Sequence, residues 1–220
     1  MYGIHIAEDL KKICHGIALG CIQADVAVND DNNGLWEEIR NRCQWLTNAL
    51  TVGAISMQDH IKEARAVYRK LGKDPARYRL SSEALIRRVL KEKGLYQVNN
   101  VVDINNLISL LSYCPVCTYD LNKIQFPVYF DEGKRDESYQ GIGRGSINVE
   151  NLPVFIDREG IFGSTTSDSE RTMVTKETKQ ILMIIVSFNG TEGLQGYLDK
   201  AKQLLTDFAQ GENMQSGIII

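Results

Sequence analysis

Apolar residues change period near the middle of this 220-residue chain. Up to about Pro115 they recur mainly every three to four residues, and beyond it they alternate or run together. Residues 13–28, ICHGIALGCIQADVAV, are apolar and small without a helical stripe, and predict one or two strands. Asp30-Asp31-Asn32-Asn33-Gly34 predicts a turn. Leu35, Trp36, Ile39, Cys43, Leu46 and Leu50 then mark a helix. A second helix is expected over about residues 57–71, with Ile61, Ala64, Val67, Tyr68 and Leu71 inward, stopped by Gly72 and Pro75. Ser81 or Ser82 can cap a third, with Glu83 in its first turn and Lys91 and Lys93 near its end, complementing the helix dipole; Gly94 closes it. A fourth should begin near Asn100 to Asp103. Ile104, Leu107, Ile108 and Leu111 form its apolar stripe, Asn105, Ser109 and Ser112 lie on the far face, and Asn106 sits at the margin.

After Pro115, FPVYFD, SINVE, LPVFID and QILMIIVSF read as strands between Gly- and Asp-rich turns. A last helix over about residues 191–210 is expected to close the chain. Helices mostly in the first half and strands in the second favour an α+β fold, one domain over residues 1–220, with a mixed sheet built mainly from the C-terminal half.

Charge changes this picture. Residues 62–93 hold 11 Lys and Arg against four Asp and Glu, while the whole chain carries −3. The segment is therefore either a polyanion-facing patch or a helical pair with solvated basic faces. Arg65, Arg69, Arg77, Arg79, Arg87, Arg88 and Lys91 are the candidate RNA contacts, and Tyr68, Tyr78 and Tyr96 interleave as possible stacking surfaces. No run of about 18 apolar residues exists to span a bilayer, and the N-terminus has no basic-then-apolar leader; a cytoplasmic protein is expected. Five cysteines argue against a disulfide scaffold.

Three motifs carry candidate chemistry. Cys114-Pro-Val-Cys117 has the spacing of a redox pair or half a zinc site, but no second pair exists and it follows a helix instead of opening one; incidental cysteines fit better. Gly141-Ile-Gly-Arg-Gly145 imitates a phosphate loop yet precedes strand-like sequence, so a plain turn competes with a turn approached by substrate at Gly143. Residues 163–172, GSTTSDSERT, are a hydroxyl cluster. Their amides and hydroxyls can bind a carboxylate, phosphate or ribose, or form a polar hairpin turn. Asp168 and Glu170 are either a base there or loop-ordering groups.

The segments VYRKLGKDPARYRLSSEALIRRVL, NNVVDINNLISL, PVCTYDLNKI and LPVFIDREGIFGSTTSDSERTMVT follow one another in the order of the B3/B4 editing module of the phenylalanyl-tRNA synthetase beta subunit. The chain resembles that module, and its free-standing relatives more closely, over about residues 67–186. The resemblance implies a B3/B4-like architecture, the acceptor end of a tRNA as partner, and hydrolysis of mischarged aminoacyl-tRNA in trans. It implies no cofactor, no metal, no membrane and no DNA. The alternative is a module that binds tRNA or an amino-acid-like ligand without chemistry. Asn106 matches the family's asparagine, Asn105 stands where the synthetase has threonine, and Cys117 replaces its editing-site histidine. On this reading Asn106, Ser109, Thr165 and Glu170 would be catalytic. Asn105, Cys117, Gly143, Gly163, Ser164 and Thr166 would bind substrate.

Overall fold

The computed structural model describes residues 3–30 and 33–220. The elements are β1 (Ile4–Ile6), α1 (Glu8–Ile13), β2 (Ala18–Asp25), α2 (Asn33–Ala49), α3 (Asp59–Lys70), α4 (Ser81–Leu90), α5 (Asn100–Ser112), β3 (Val116–Asp120), β4 (Val128–Glu132), β5 (Ser138–Gly141), β6 (Gly145–Asn148), β7 (Pro153–Asp157), β8 (Gly160–Ser164), β9 (Gln180–Ser187), α6 (Leu194–Ala209) and β10 (Glu212–Ile219). The fold class is α+β. Of the expected turn at residues 30–34, Asp31 and Asn32 lie outside the described residues, and Asn33 already belongs to α2.

The described residues build two four-stranded sheets and a hairpin, and the expected mixed sheet, drawn mainly from the C-terminal half, is one of them. The order β10-β2-β9-β3 is antiparallel throughout; β1-β4-β7-β8 is mixed, with β1 parallel to β4; β5 and β6 pair alone. The antiparallel sheet divides the core. Leu182, Ile184 and Val186 of β9 face one cluster, with Cys117 and Tyr119 of β3, Phe130, Phe155 and Phe162 of the mixed sheet, and Ile61, Val67 and Tyr68 of α3. Ile181, Met183 and Ile185 face the other, with residues of α2, α5 and α6. A strand buried on both faces loses the polar alternation of a half-exposed one, which is why β9 reads as an unbroken greasy run.

The chain does not close on a helix. After α6 it turns back and β10 pairs with β2, from Glu212 opposite Asp25 to Ile219 opposite Leu19. Ser81 and Ser82 do not cap α4: Leu80 holds the N-cap position, the Ser82 hydroxyl donates to the Tyr113 carbonyl at 2.9 Å, and α4 ends at Leu90, short of Gly94. Ser112, expected on a polar face, is fully buried and donates to the Ile108 carbonyl at 2.7 Å.

Glu83 is the largest departure from the expected dipole role. Its side chain is fully buried. Arg65 of α3 donates to it at 2.9 and 3.1 Å, and Arg87 one turn along α4 at 2.8 Å. This triad, together with the Arg65 bond to the Pro75 carbonyl at 3.1 Å, ties α3, its following loop and α4 together. A buried carboxylate with two guanidinium partners is balanced; removing it strands two cations. Glu83→Ala should therefore lower the unfolding free energy by about 3 kcal/mol, read from urea denaturation. An unchanged midpoint would remove the triad from the stabilising interactions.

Candidate functional site

The polar run that opens α5 divides by function. Asn99 caps the helix, its side chain accepting the Val102 amide at 2.9 Å. Asn100 is fully buried and donates to the carbonyls of Ala27 and Phe208, both at 2.8 Å. Asp103 accepts Trp36 Nε1 at 2.7 Å and the Val98 amide at 3.1 Å. Asn99 thus starts α5, and Asn100 and Asp103 hold it to its neighbours. One turn on, Asn105 and Asn106 are only partly buried and, with Val102 and Ser109, line an open cleft of about 530 Å³.

The cleft lies between α4, α5, the segment after α4, the β5–β6 turn and the loop after β8. Arg79, Arg87, Arg88, Lys91, Lys93 and Arg144 line it, and Asp168 is the one carboxylate among its described lining residues. Ala84, Leu85 and Val116 give it apolar wall, and Ser81 and Thr166 add hydroxyls. Tyr96, 69 % exposed, stands at the same opening with the Arg88 guanidinium 3.9 Å from its ring centre.

Among the described residues, four buried side-chain polar atoms have no hydrogen-bond partner. Three of them belong to residues of this cleft: Ser81 Oγ, Arg88 Nε and Ser109 Oγ. These atoms are enclosed by protein, so they stand behind the cleft wall and not at its surface. The fourth, His60 Nδ1, belongs to a residue of a separate pocket.

The loop after β8 is fixed from below. Tyr68, fully buried and not a stacking surface, shares its hydroxyl with Thr165 at 2.6 Å and Thr166 at 3.0 Å. The Ser81 amide donates to the Thr165 carbonyl at 2.9 Å, joining the loop to the start of α4. Tyr139 donates to the Ser167 carbonyl and lies 3.0 Å from Ser164 Oγ. The Ile142 amide donates to the Asp168 carbonyl at 3.2 Å, which brings the hairpin turn and its Arg144 to the cleft. Gly143, with φ +64, forms the tip of that turn and does not line the cleft. Gly163 is required by close approach: a Cβ there would stand 2.1 Å from Tyr119 Oη.

That same Tyr119 hydroxyl donates to Asp168 Oδ1 at 2.8 Å. Asp168 keeps partial exposure to the cleft, yet the protein packed around its carboxyl disfavours the charge and pushes its pKa up to about 7. Burial also pushes Tyr119 and Cys117 well above their ordinary ranges, with the Asp168 charge adding to both.

The structure thus sorts the sequence candidates. It brings Asn105, Asn106, Ser109, Thr166, Arg79, Arg87, Arg88 and Lys91 together in one cleft. Thr165, Ser164 and Gly163 lie beneath the loop, buried. Cys117 is buried on β3, its thiol 3.7 Å from the Ser164 carbonyl, and Cys114 packs in the other core with its pKa pushed up to about 12 by burial. Neither thiol is activated as a redox pair requires. Glu170 is exposed and does not line the cleft. Arg65 is committed to Glu83, and Arg69 and Arg77 are exposed away from the lining. Two cations beyond the seven candidates join the rim: Lys93, from the end of the basic segment, and Arg144, from inside the glycine motif. Asp168 and Glu170 share one motif, and only tertiary contacts separate them.

Fold and site together define an α+β domain with a basic, polar-floored cleft. A family model, the B3/4 domain, matches residues 63–197, and the chain belongs to that family. It is 25 % identical over 133 residues to the uncharacterized protein YhzB of Bacillus subtilis (strain 168), an alignment covering 60 % of this chain and 58 % of that protein. The chain is also similar to an N-terminal fragment of the phenylalanyl-tRNA synthetase beta-subunit from Pyrococcus horikoshii, at 14 % identity and a TM-score of 0.49, covering 98 % of this chain and 49 % of the fragment. The chain therefore spans less than two thirds of the length of either protein. No described helix is long and apolar enough to cross a membrane.

The carboxyl of Asp168 has a signature in stability. Its folded pKa is raised, so between about pH 4, where an unfolded Asp ionises, and about pH 7 the folded state binds the extra proton. Stability contributed by this group is full below about pH 4 and is lost as pH rises to 7. Asp168→Asn has no such pH dependence and keeps an acceptor for Tyr119. Relative to the variant, the wild type should lose up to about 4 kcal/mol between pH 4 and pH 8, measured by urea unfolding. Parallel pH profiles for the two proteins would contradict the raised pKa.

Proposed function

We propose that this cleft receives the aminoacylated 3′ end of a tRNA and hydrolyses the ester of a mischarged amino acid in trans. The observation that carries the reading is the meeting of six cations with the partly exposed Asn105 and Asn106 side chains in one opening. Cations along the rim suit backbone phosphates, and the exposed Tyr96 face suits a terminal base. Membership of the B3/4 family, and the resemblance of its motifs to a tRNA-editing module, agree with that chemistry.

In the reaction, water adds to the ester carbonyl, the bond from that carbon to the ribose oxygen breaks, and the free amino acid and a ribose hydroxyl result. The oxygen that becomes negative needs fixed donors. Asn106 on α5 is the side chain suited to supply one, with Asn105, which accepts the Thr118 hydroxyl at 2.9 Å, oriented beside it; Ser109, a candidate by sequence, is fully buried behind the cleft wall. Thr165 and Glu170, candidates by sequence, do not line the cleft and have no part in this step.

A second reading, binding without hydrolysis, is favoured by one observation. By the resemblance of its motif Cys117 takes the place of the synthetase module's histidine, and its thiol is buried with no part in the cleft lining.

The test is deacylation of a panel of mischarged tRNAs by the purified protein. Release of at least one amino acid, with Asn106→Ala lowering the rate about tenfold or more, is expected. Binding without release by the wild type selects the second reading. For tRNA binding, Lys91→Gln and Arg144→Gln should each weaken affinity. Each should also flatten the logarithmic salt dependence by about one unit, the slope of a single phosphate left without its cation. Unchanged salt dependence would remove the rim from RNA recognition.

A further inference from the structure

Six cations attract a tRNA end but repel the one positive charge on an aminoacyl ester, its α-ammonium group. A site that admits both needs a carboxylate placed apart from the phosphate-binding rim. Among the described residues lining the cleft only Asp168 is acidic, and no described Lys or Arg forms an ion pair with it. Its Oδ1 accepts the Tyr119 hydroxyl at 2.8 Å, and Oδ2 accepts no hydrogen bond from a described residue. Glu83, by contrast, is buried and paired with both Arg65 and Arg87.

Resting on the function proposed above, we infer that Asp168 recognises the free α-ammonium of the aminoacyl group, and that Tyr119 is the positioning residue that aims it. The preference this creates is for esters of free amino acids over N-blocked ones, such as an N-acylated or peptidyl end. The charge balance supports it. Burial holds the Asp168 carboxyl partly protonated near neutrality, and an arriving ammonium favours the ionised form, so binding releases a proton. The titratable groups around Asp168 do not confuse that signal. Tyr119, Cys117 and Tyr139 are pushed up by burial and stay neutral, and the other cleft groups are the Arg and Lys side chains already named.

The probe is 3′-deoxy-3′-(L-tyrosylamino)adenosine, an amide that cannot be hydrolysed by ester chemistry, compared with its N-acetyl derivative. Both are titrated calorimetrically into the full chain, in buffers of different ionisation heat. The wild type should bind the free amine at least tenfold more tightly than the acetylated probe, with proton release near pH 6.5. In Asp168→Asn the two affinities should converge and the proton release vanish. Tyr119→Phe should keep the preference in weakened form. Equal binding of both probes by the wild type, or a preference retained by Asp168→Asn, overturns the assignment while leaving the function standing. Equal loss of both probes in a folded Asp168→Asn makes the residue structural and overturns it also. Failure of the folded wild type to bind either probe overturns the proposed function and this assignment with it.

Discussion

The constraint that organises this protein is that α5 is buried on almost every side while carrying polar residues along most of its length. Each of those groups must find a partner or remain costly to bury. Asn99, Asn100 and Asp103 find theirs in the helix start, in the loop before α2 and the last turn of α6, and in Trp36. Ser112 finds its own helix carbonyl. Ser109 finds none among the described residues, and it lies where the helix meets the cleft. Fold and site share one helix: its polar groups with partners inside the chain join elements, and the partly exposed Asn105 and Asn106 face the cleft.

The second organising contrast lies in the charges. Along the sequence, residues 62–93 are strongly basic; in space these cations are not equivalent. Arg65 is committed to Glu83, while Arg87 both serves that buried triad and lines the cleft, so the stability of α4 and the placement of a rim cation depend on the same carboxylate. Asp168 is the counterpart. It forms no ion pair with a described cation and is held by a tyrosine whose position is in turn set by the absence of a side chain at Gly163.

Much of this was legible in the residues. The helical spacing of Ile61, Ala64, Val67 and Tyr68 placed α3 and its inward face, and the greasy run 181–186 placed the central strand. The order of the B3/B4-like motifs placed the family. What could not be read depends on partners far apart in the chain. Glu83 looks like a first-turn acid complementing a dipole because nothing local announces Arg65, 18 residues before it. Ser109 and Ser112 look exposed because periodicity assigns a polar face to solvent, whereas α5 is packed by helices and sheet on both sides. Asp168 and Glu170, two residues apart, are indistinguishable until the loop's anchoring turns one toward Tyr119 and the other toward solvent. β10 is hard to read because its residues are half exposed and carry little alternation, and its place follows from the free edge of β2.

The central claim is that RNA ends enter the cleft between α4, α5 and the loop after β8. The most direct measurement is an NMR titration of the isotopically labelled protein with an RNA minihelix ending in CCA. The side-chain amides of Asn105 and Asn106 and the backbone amides of residues 166–168 serve as reporters. The account predicts that these signals shift together and saturate together, with Tyr96 following. Shifts confined to the face bearing Arg69 and Arg77, with the Asn105 and Asn106 amides unmoved, would contradict it.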